Sequence, residues 1–154
     1  MAPVGQPRVP DVVPANVRDI LVLDTNVVLD LLVFEDAATA CLMQALDSGA
    51  AHWLATSAMR KEFEKVLAYP RIAARLQPPG KTHDDILSLF DRLSRLVAAP
   101  PIVRVHCSDP DDQMFIDLSV AHQACLLSKD DAVLRLRKRL ADLDVVVQNA
   151  WRKP

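Results

Sequence analysis

The chain has 154 residues, 51% of them apolar and 25% charged, with a formal net charge of −2. That length suits one domain with a sizeable core, and charges and prolines interrupt every apolar stretch short of the roughly 20 residues of a membrane span. A charge so near neutrality does not announce a nucleic-acid binder, since such domains tend to be basic. It does not exclude one whose acids are gathered at a single site.

Residues 1–17 read as a loose tail, with Pro3, Pro7, Pro10 and Pro14, no periodicity and no apolar stretch of the kind a secretory signal needs. Residues 18–154 read as a single α/β domain. Ile20–Leu23 is a run of four apolar residues, as in a parallel strand buried on both faces. Ala38, Cys41, Leu42, Ala45 and Leu46 follow at helical spacing, with Gly49 as a C-terminal stop. His52–Ala55 is a second strand candidate. Thr56 and Ser57 are N-cap residues for a helix carrying Met59, Phe63, Val66 and Leu67, which ends before Pro70. Ile86, Leu89, Phe90, Leu93 and Val97 place a longer amphipathic helix ahead of Pro100 and Pro101. Ile102–Val105 is a short strand candidate. Asp109-Pro110 reads as an N-cap followed by proline at the first helical position. Ala124–Leu127 and Asp144–Val147 are two more strand candidates, with a helix between them over roughly Ala132–Leu140. Strands alternating with helices predict a three-layer α/β/α sandwich around a mainly parallel sheet.

The three cysteines, Cys41, Cys107 and Cys125, are an odd number without paired spacing. They predict reduced thiols and a cytoplasmic protein, with Cys125 as a small core residue. His52, His83, His106 and His122 show no metal-ligand spacing.

The acids are more informative. In open α/β sheets, sites form at the carboxyl ends of strands. Asp24 ends the first strand candidate, Asp130 follows the fourth, and Glu62 lies at the border of the apolar stripe of the helix that Ser57 begins. Asp111 and Asp112 occupy the first turn after Pro110, and helical periodicity does not choose between them. Each acid has an ordinary structural role available. Asp24 and Asp130 can cap helices, Glu62 can be solvated, and Asp111 and Asp112 can favour a helix N-terminus by about 0.3–1 kcal/mol. Together they are harder to dismiss, because the topology brings three of these points to one rim of the sheet.

LVLDTN, TSAMRKEFEKVL and SDPDDQMFIDLSVAHQACLLSKDDAVL, in this order and spacing, resemble the PIN-domain nucleases. The likeness is closest to the toxin components of bacterial toxin–antitoxin systems. It implies a Mg²⁺- or Mn²⁺-dependent ribonuclease in which Asp24, Glu62, Asp112 and Asp130 are the catalytic, metal-binding acids. Asn26, Ser57 and Ser128 would be polar residues that hold them in place. Gln113 stands where that branch usually has Asn, and Ser128 where it usually has Thr. Ala132 replaces a frequent acid, which leaves open whether Asp131 substitutes for it at the fourth position. The resemblance implies hydrolysis of an RNA phosphodiester to a 3′-hydroxyl and a 5′-phosphate. Besides RNA, the candidate partners are an antitoxin protein and a second copy of the chain, with no membrane.

Carboxylates are hard oxygen ligands that suit these ions. Setting the four acids aside leaves 16 against 18 Lys and Arg, so the remaining surface is slightly basic. Arg135, Arg137, Lys138 and Arg139 form the densest basic run, able to meet phosphates or to be a solvated helix face. Two other readings compete. A PIN-like module could hold RNA or protein without cleaving, but all four principal acids are retained. A phosphatase using Asp24 as nucleophile needs a second acid two residues on, and that residue is Asn26.

Overall fold

The computed structural model describes residues 19–151, so the expected tail over residues 1–17 lies outside the described part. Ile20–Leu23 forms β1 with all four side chains buried. Successive strand residues point to opposite faces, so this pattern requires cover on both faces of the sheet. The other strands are β2 (His52–Ala55), β3 (Ser94–Leu96), β4 (Cys125–Leu127) and β5 (Val146–Gln148). They pair in the order β3-β2-β1-β4-β5, every pair parallel. The helices are α1 (Thr25–Leu32), α2 (Ala40–Ser48), α3 (Ser57–Leu67), α4 (Pro70–Ala73), α5 (His83–Leu93), α6 (Gln113–His122), α7 (Asp131–Leu134) and α8 (Arg137–Ala141). The expected α/β class with a parallel central sheet is the one observed. Among the described residues no helix is long and apolar enough to cross a membrane.

The chain runs from β1 outward through β2 to β3, then returns to lay β4 against the other side of β1. Connections therefore leave in opposite directions at the carboxyl ends of β1 and β4. In doubly wound sheets that switch point is where a crevice opens. α6 packs against both of these strands.

The core is apolar throughout, with Leu21, Val22, Leu54, Leu126 and Leu127 at 0% exposure. Trp53 meets Phe90 edge-on at 4.7 Å between ring centroids, and Phe63 stacks on Phe90 at 5.3 Å. Such pairs add about 0.5–1.5 kcal/mol beyond their buried area, and these two tie α3 and α5 to β2. Cys125 is buried, as its apolar run predicts.

Four local features depart from the sequence reading. Residues 25–32, to which no element is assigned from the pattern, form α1; its β-branched Val27 and Val28 are held helical by burial and by a cap from Asp24. The expected long helix stops at Leu93, where Ser94 turns extended and its hydroxyl donates to Phe90 O at 2.6 Å. Ser94–Leu96 then pairs with β2, so the tertiary ladder overrides continued helix. Ile102–Val105 is not a strand. Its backbone is satisfied by α6 side chains instead: Val103 N donates to Asp117 Oδ1 at 3.1 Å, and Gln113 Nε2 donates to Val105 O at 2.9 Å. Finally, the helix expected over Ala132–Leu140 is two short helices, α7 and α8.

Candidate active site

The residues that follow β1, β2 and β4 are Asp24, Thr56 and Ser128, and all three are buried polar side chains at 3%, 4% and 0% exposure. Placing polar groups there is costly unless they are bonded, and each is. Thr56 Oγ1 accepts from Met59 N at 3.3 Å and caps α3. Asp24 Oδ1 accepts from Val27 N at 2.9 Å and caps α1, while Asp24 N extends the β1–β4 ladder to Leu127 O at 3.0 Å. The Ser128 hydroxyl donates to Asp24 Oδ2 and accepts from Asp130 N. Burial pushes the Asp24 carboxyl above its ordinary range, against the pull of the Ser128 and Val27 hydrogen bonds and with a further push from Asp130. One serine thus links the carboxyl ends of the two central strands.

The segment ahead of α6 brings the next acids. Asp109 caps a single 3₁₀ turn over Pro110–Asp112, accepting from Asp111 N at 3.0 Å. In a 3₁₀ turn residues three apart eclipse, so Asp109 and Asp112 face the same way. Asp130 caps α7 through Ala132 N at 2.8 Å. Carboxylate oxygens of Asp109, Asp112 and Asp130 all lie within 4.8 Å of one another.

Asp112 is the odd member. Its Oδ2 is buried without a hydrogen-bond partner. Its pKa is pushed up to about 7, first by burial, then by the charge of Asp130 and a hydrogen bond to it, then by Asp109 and Asp24. Asp24 therefore lies beside the three-acid set and is felt by it. Asp111, the neighbour that periodicity did not separate from Asp112, is exposed.

Glu62 is half-buried and lines a cavity of about 410 Å³ together with Asn26, Asp111 and Asp112. It shares this cavity with Asp112 and is not one of the three carboxylates that converge. Asn26 is exposed at the cavity wall, and Ser57 is exposed at the first position of α3; neither hydroxyl nor amide bonds an acid among the described residues. Asp131 is exposed, one residue past the convergent set. In the basic run, Arg137 Nε donates to Val147 O at 3.1 Å and fastens α8 to β5, while Arg135, Lys138 and Arg139 are exposed.

The sequence profile of the PIN domain matches residues 20–132, which contain all of these acids. The chain belongs to the PIN-domain family. Comparison with curated proteins returns no match. Members of the PIN family are generally nucleases, and the family's metal dependence agrees with the chemistry of this domain's acids. Among the described residues the three carboxylates that converge are joined within that distance by no thiol or imidazole, although the Cys107 thiol lies near enough to feel the charge of all three, and one buried oxygen lacks a donor. All-oxygen donors of this kind fit Mg²⁺ or Mn²⁺.

Sequence reasoning overlooked Asp109 as a member of the set, because its capping role accounted for it. The signal was the three-residue spacing of Asp109 and Asp112 across Pro110. Asp117 was also missed: it is buried at 6% exposure and accepts from Val103 N and from Gln113 Nε2 at 2.9 Å. With Cys107 N donating to Gln113 Oε1 at 2.7 Å, Gln113 clamps the chain that leads into the acids.

Proposed function

We propose that this PIN domain is a Mg²⁺- or Mn²⁺-dependent endoribonuclease, cytoplasmic, and the toxin of a toxin–antitoxin pair. The observation that supports it most directly is Asp112, whose buried, partnerless oxygen sits where three carboxylates meet. A group raised in pKa by desolvation and like charge at the switch point of a sheet is a functional-site candidate on physical grounds.

Asp112, Asp109 and Asp130 would hold the ion, with Asp24 alongside. The chemistry a bound Mg²⁺ or Mn²⁺ supplies is activation of water and neutralisation of charge on the phosphate. The chain's own residues do the positioning. Ser128 orients Asp24 and, through the Asp130 amide, the start of the β4–α7 turn. Glu62, free of ion pairs and hydrogen bonds among the described residues, can take a proton at its carboxylate from a water in the shared cavity. Exposed Arg135, Lys138 and Arg139 follow the Asp130 turn and can receive flanking phosphates. The products would be a 3′-hydroxyl and a 5′-phosphate.

Purified protein incubated with single-stranded or structured RNA should cleave with Mg²⁺ or Mn²⁺ and stop with EDTA. Asp112→Asn cleaving as fast as the parent would assign the activity to another site or a contaminant. For the toxin role, expression should arrest growth, and co-expression of a small protein from the adjacent reading frame should relieve the arrest.

A further inference from the structure

The cavity beside Asp112 has a composition that metal binding does not require. Buried apolar side chains, Leu29 and Ile72, line it together with the exposed Tyr69 and Arg71. Tyr69 is 47% exposed, a large aromatic left in contact with water. It is not loosely held. Tyr69 N donates to Val66 O at 3.0 Å, and Tyr69 O accepts from Ile72 N and Ala73 N at 2.9 and 2.8 Å. Pro70 follows at the first position of α4 and fixes the backbone direction. These bonds fix the backbone from which the exposed ring projects, at the junction between α3 and α4. Arg71, two residues on, is exposed and has no ion pair or hydrogen bond among the described residues. Asn26 offers a free amide, with both donor and acceptor, at the same wall.

We propose that this cavity receives a nucleobase of the RNA strand next to the scissile phosphate, stacked on Tyr69, with Arg71 meeting the neighbouring backbone phosphate. The proposal rests on the ribonuclease reading and adds the element that selects the strand. Asp112 is at once a member of the convergent acids and a wall of the cavity, so a phosphate at the acids puts the adjoining nucleotide at the cavity. Single-stranded RNA is read by splayed bases stacked on aromatic rings and guanidinium planes and bonded at their edges. An aromatic face, an uncommitted guanidinium and a free amide are the groups such reading needs. An apolar peptide side chain would use the apolar lining and leave all three idle.

The test uses the full chain and an oligoribonucleotide that the parent cleaves, with abasic ribose substituted in turn at each position around the cut. Tyr69→Phe should keep kcat/KM within about twofold. Tyr69→Leu should lower it on the order of 5- to 100-fold, chiefly through KM. One abasic position adjoining the cut should cost the parent a similar factor and cost Tyr69→Leu little more. Unchanged kcat/KM for Tyr69→Leu, or equal abasic penalties in parent and variant, overturns the proposal and leaves the cavity to a protein segment. If the parent cleaves no RNA, the ribonuclease reading falls separately, and binding decides the present one. The chain has a single tyrosine, so its ring resonances in low-salt EDTA report this site alone. They should shift with the intact oligonucleotide and not with its abasic form; no shift with either overturns base stacking.

Discussion

Replacing Asp112 by asparagine should stabilise the metal-free protein at alkaline pH, and the gain should disappear with acid. The carboxyl has a folded pKa of about 7 against an ordinary value of 3.8. A carboxyl that binds its proton more tightly folded than unfolded makes stability fall as pH rises between those two values. The strain is absent below about pH 4, grows through the interval, and is complete above about pH 7–8. Three pKa units would nominally be about 4 kcal/mol. Asp112 is only half-buried, however, and solvent screening leaves on the order of 1–2 kcal/mol. For a chain of this size that is roughly 2–8 °C in melting temperature. Asparagine is isosteric, and its amide can donate to Asp130, which the ionised carboxyl cannot. The assay is thermal melting of parent and Asp112→Asn in EDTA from pH 4.5 to 8.5. The variant should melt higher at pH 8, with the gap narrowing as pH falls. Taking the difference between the two proteins cancels the titration of shared groups that do not interact with Asp112, His122 among them. Mg²⁺ or Mn²⁺ at 100 times its Kd should then raise the parent by about 2.7 kcal/mol and the variant far less. A variant that melts below the parent at pH 8, or a gap independent of pH, would refute the like-charge account of this cluster.

Asp24 has both a capping bond and a place beside the acids, so its two substitutions should separate. Asp24→Asn should keep the α1 cap and melt near the parent in EDTA but lose cleavage, whereas Asp24→Ala should also lose about 0.5–2 kcal/mol of stability by denaturant titration. Asp111→Asn should keep most of the RNA cleavage that Asp112→Asn loses, measured as initial rates side by side; the reverse order would move the metal site to Asp111. Gln113→Ala removes bonds to Val105 O, Cys107 N and Asp117 together. It should cost about 1–3 kcal/mol, with faster amide exchange at Cys107, and Gln113→Asn, one methylene shorter, should not restore it.

Elements buried on both faces were legible because their signal is local. Ile20–Leu23 and the apolar runs behind β2 and β4 contain little but core residues, and nothing in them competes with a strand. The third strand was not legible. Ser94, Arg95 and Leu96 carry no strand pattern of their own, and Val97 keeps the helical spacing of Ile86 and Phe90. What makes them a strand is the open edge of β2, which is a tertiary fact. Ile102–Val105 failed in the opposite way: its β-branched residues suit a strand, but it pairs with none of the described strands. Gln113 and Asp117 supply the hydrogen bonds a neighbour would have given. Propensity identified the residues able to extend, and the availability of a partner decided which did.

The site shows a different reason for partial legibility. In the sequence, capping and function are alternatives for the strand-end acids, and the geometry makes them one arrangement. Asp24, Asp109 and Asp130 each cap a helix or turn, and each uses a single Oδ1 to do so. A cap bond fixes the direction of a carboxylate at little entropic cost and leaves its second oxygen aimed away from the helix. Three helix or turn starts meeting at one switch point therefore orient three carboxylates without any dedicated scaffold. The positive ends of their backbone dipoles offset part of the repulsion among the acids. Asp112 stands outside this scheme: its side chain makes no cap bond, and it is the member whose pKa rises to about 7. A protein selected for stability alone would place an amide or a hydroxyl at that position. An acid left there without a donor is the one feature that capping cannot explain, and it is what makes the cluster a candidate site rather than a set of helix ends.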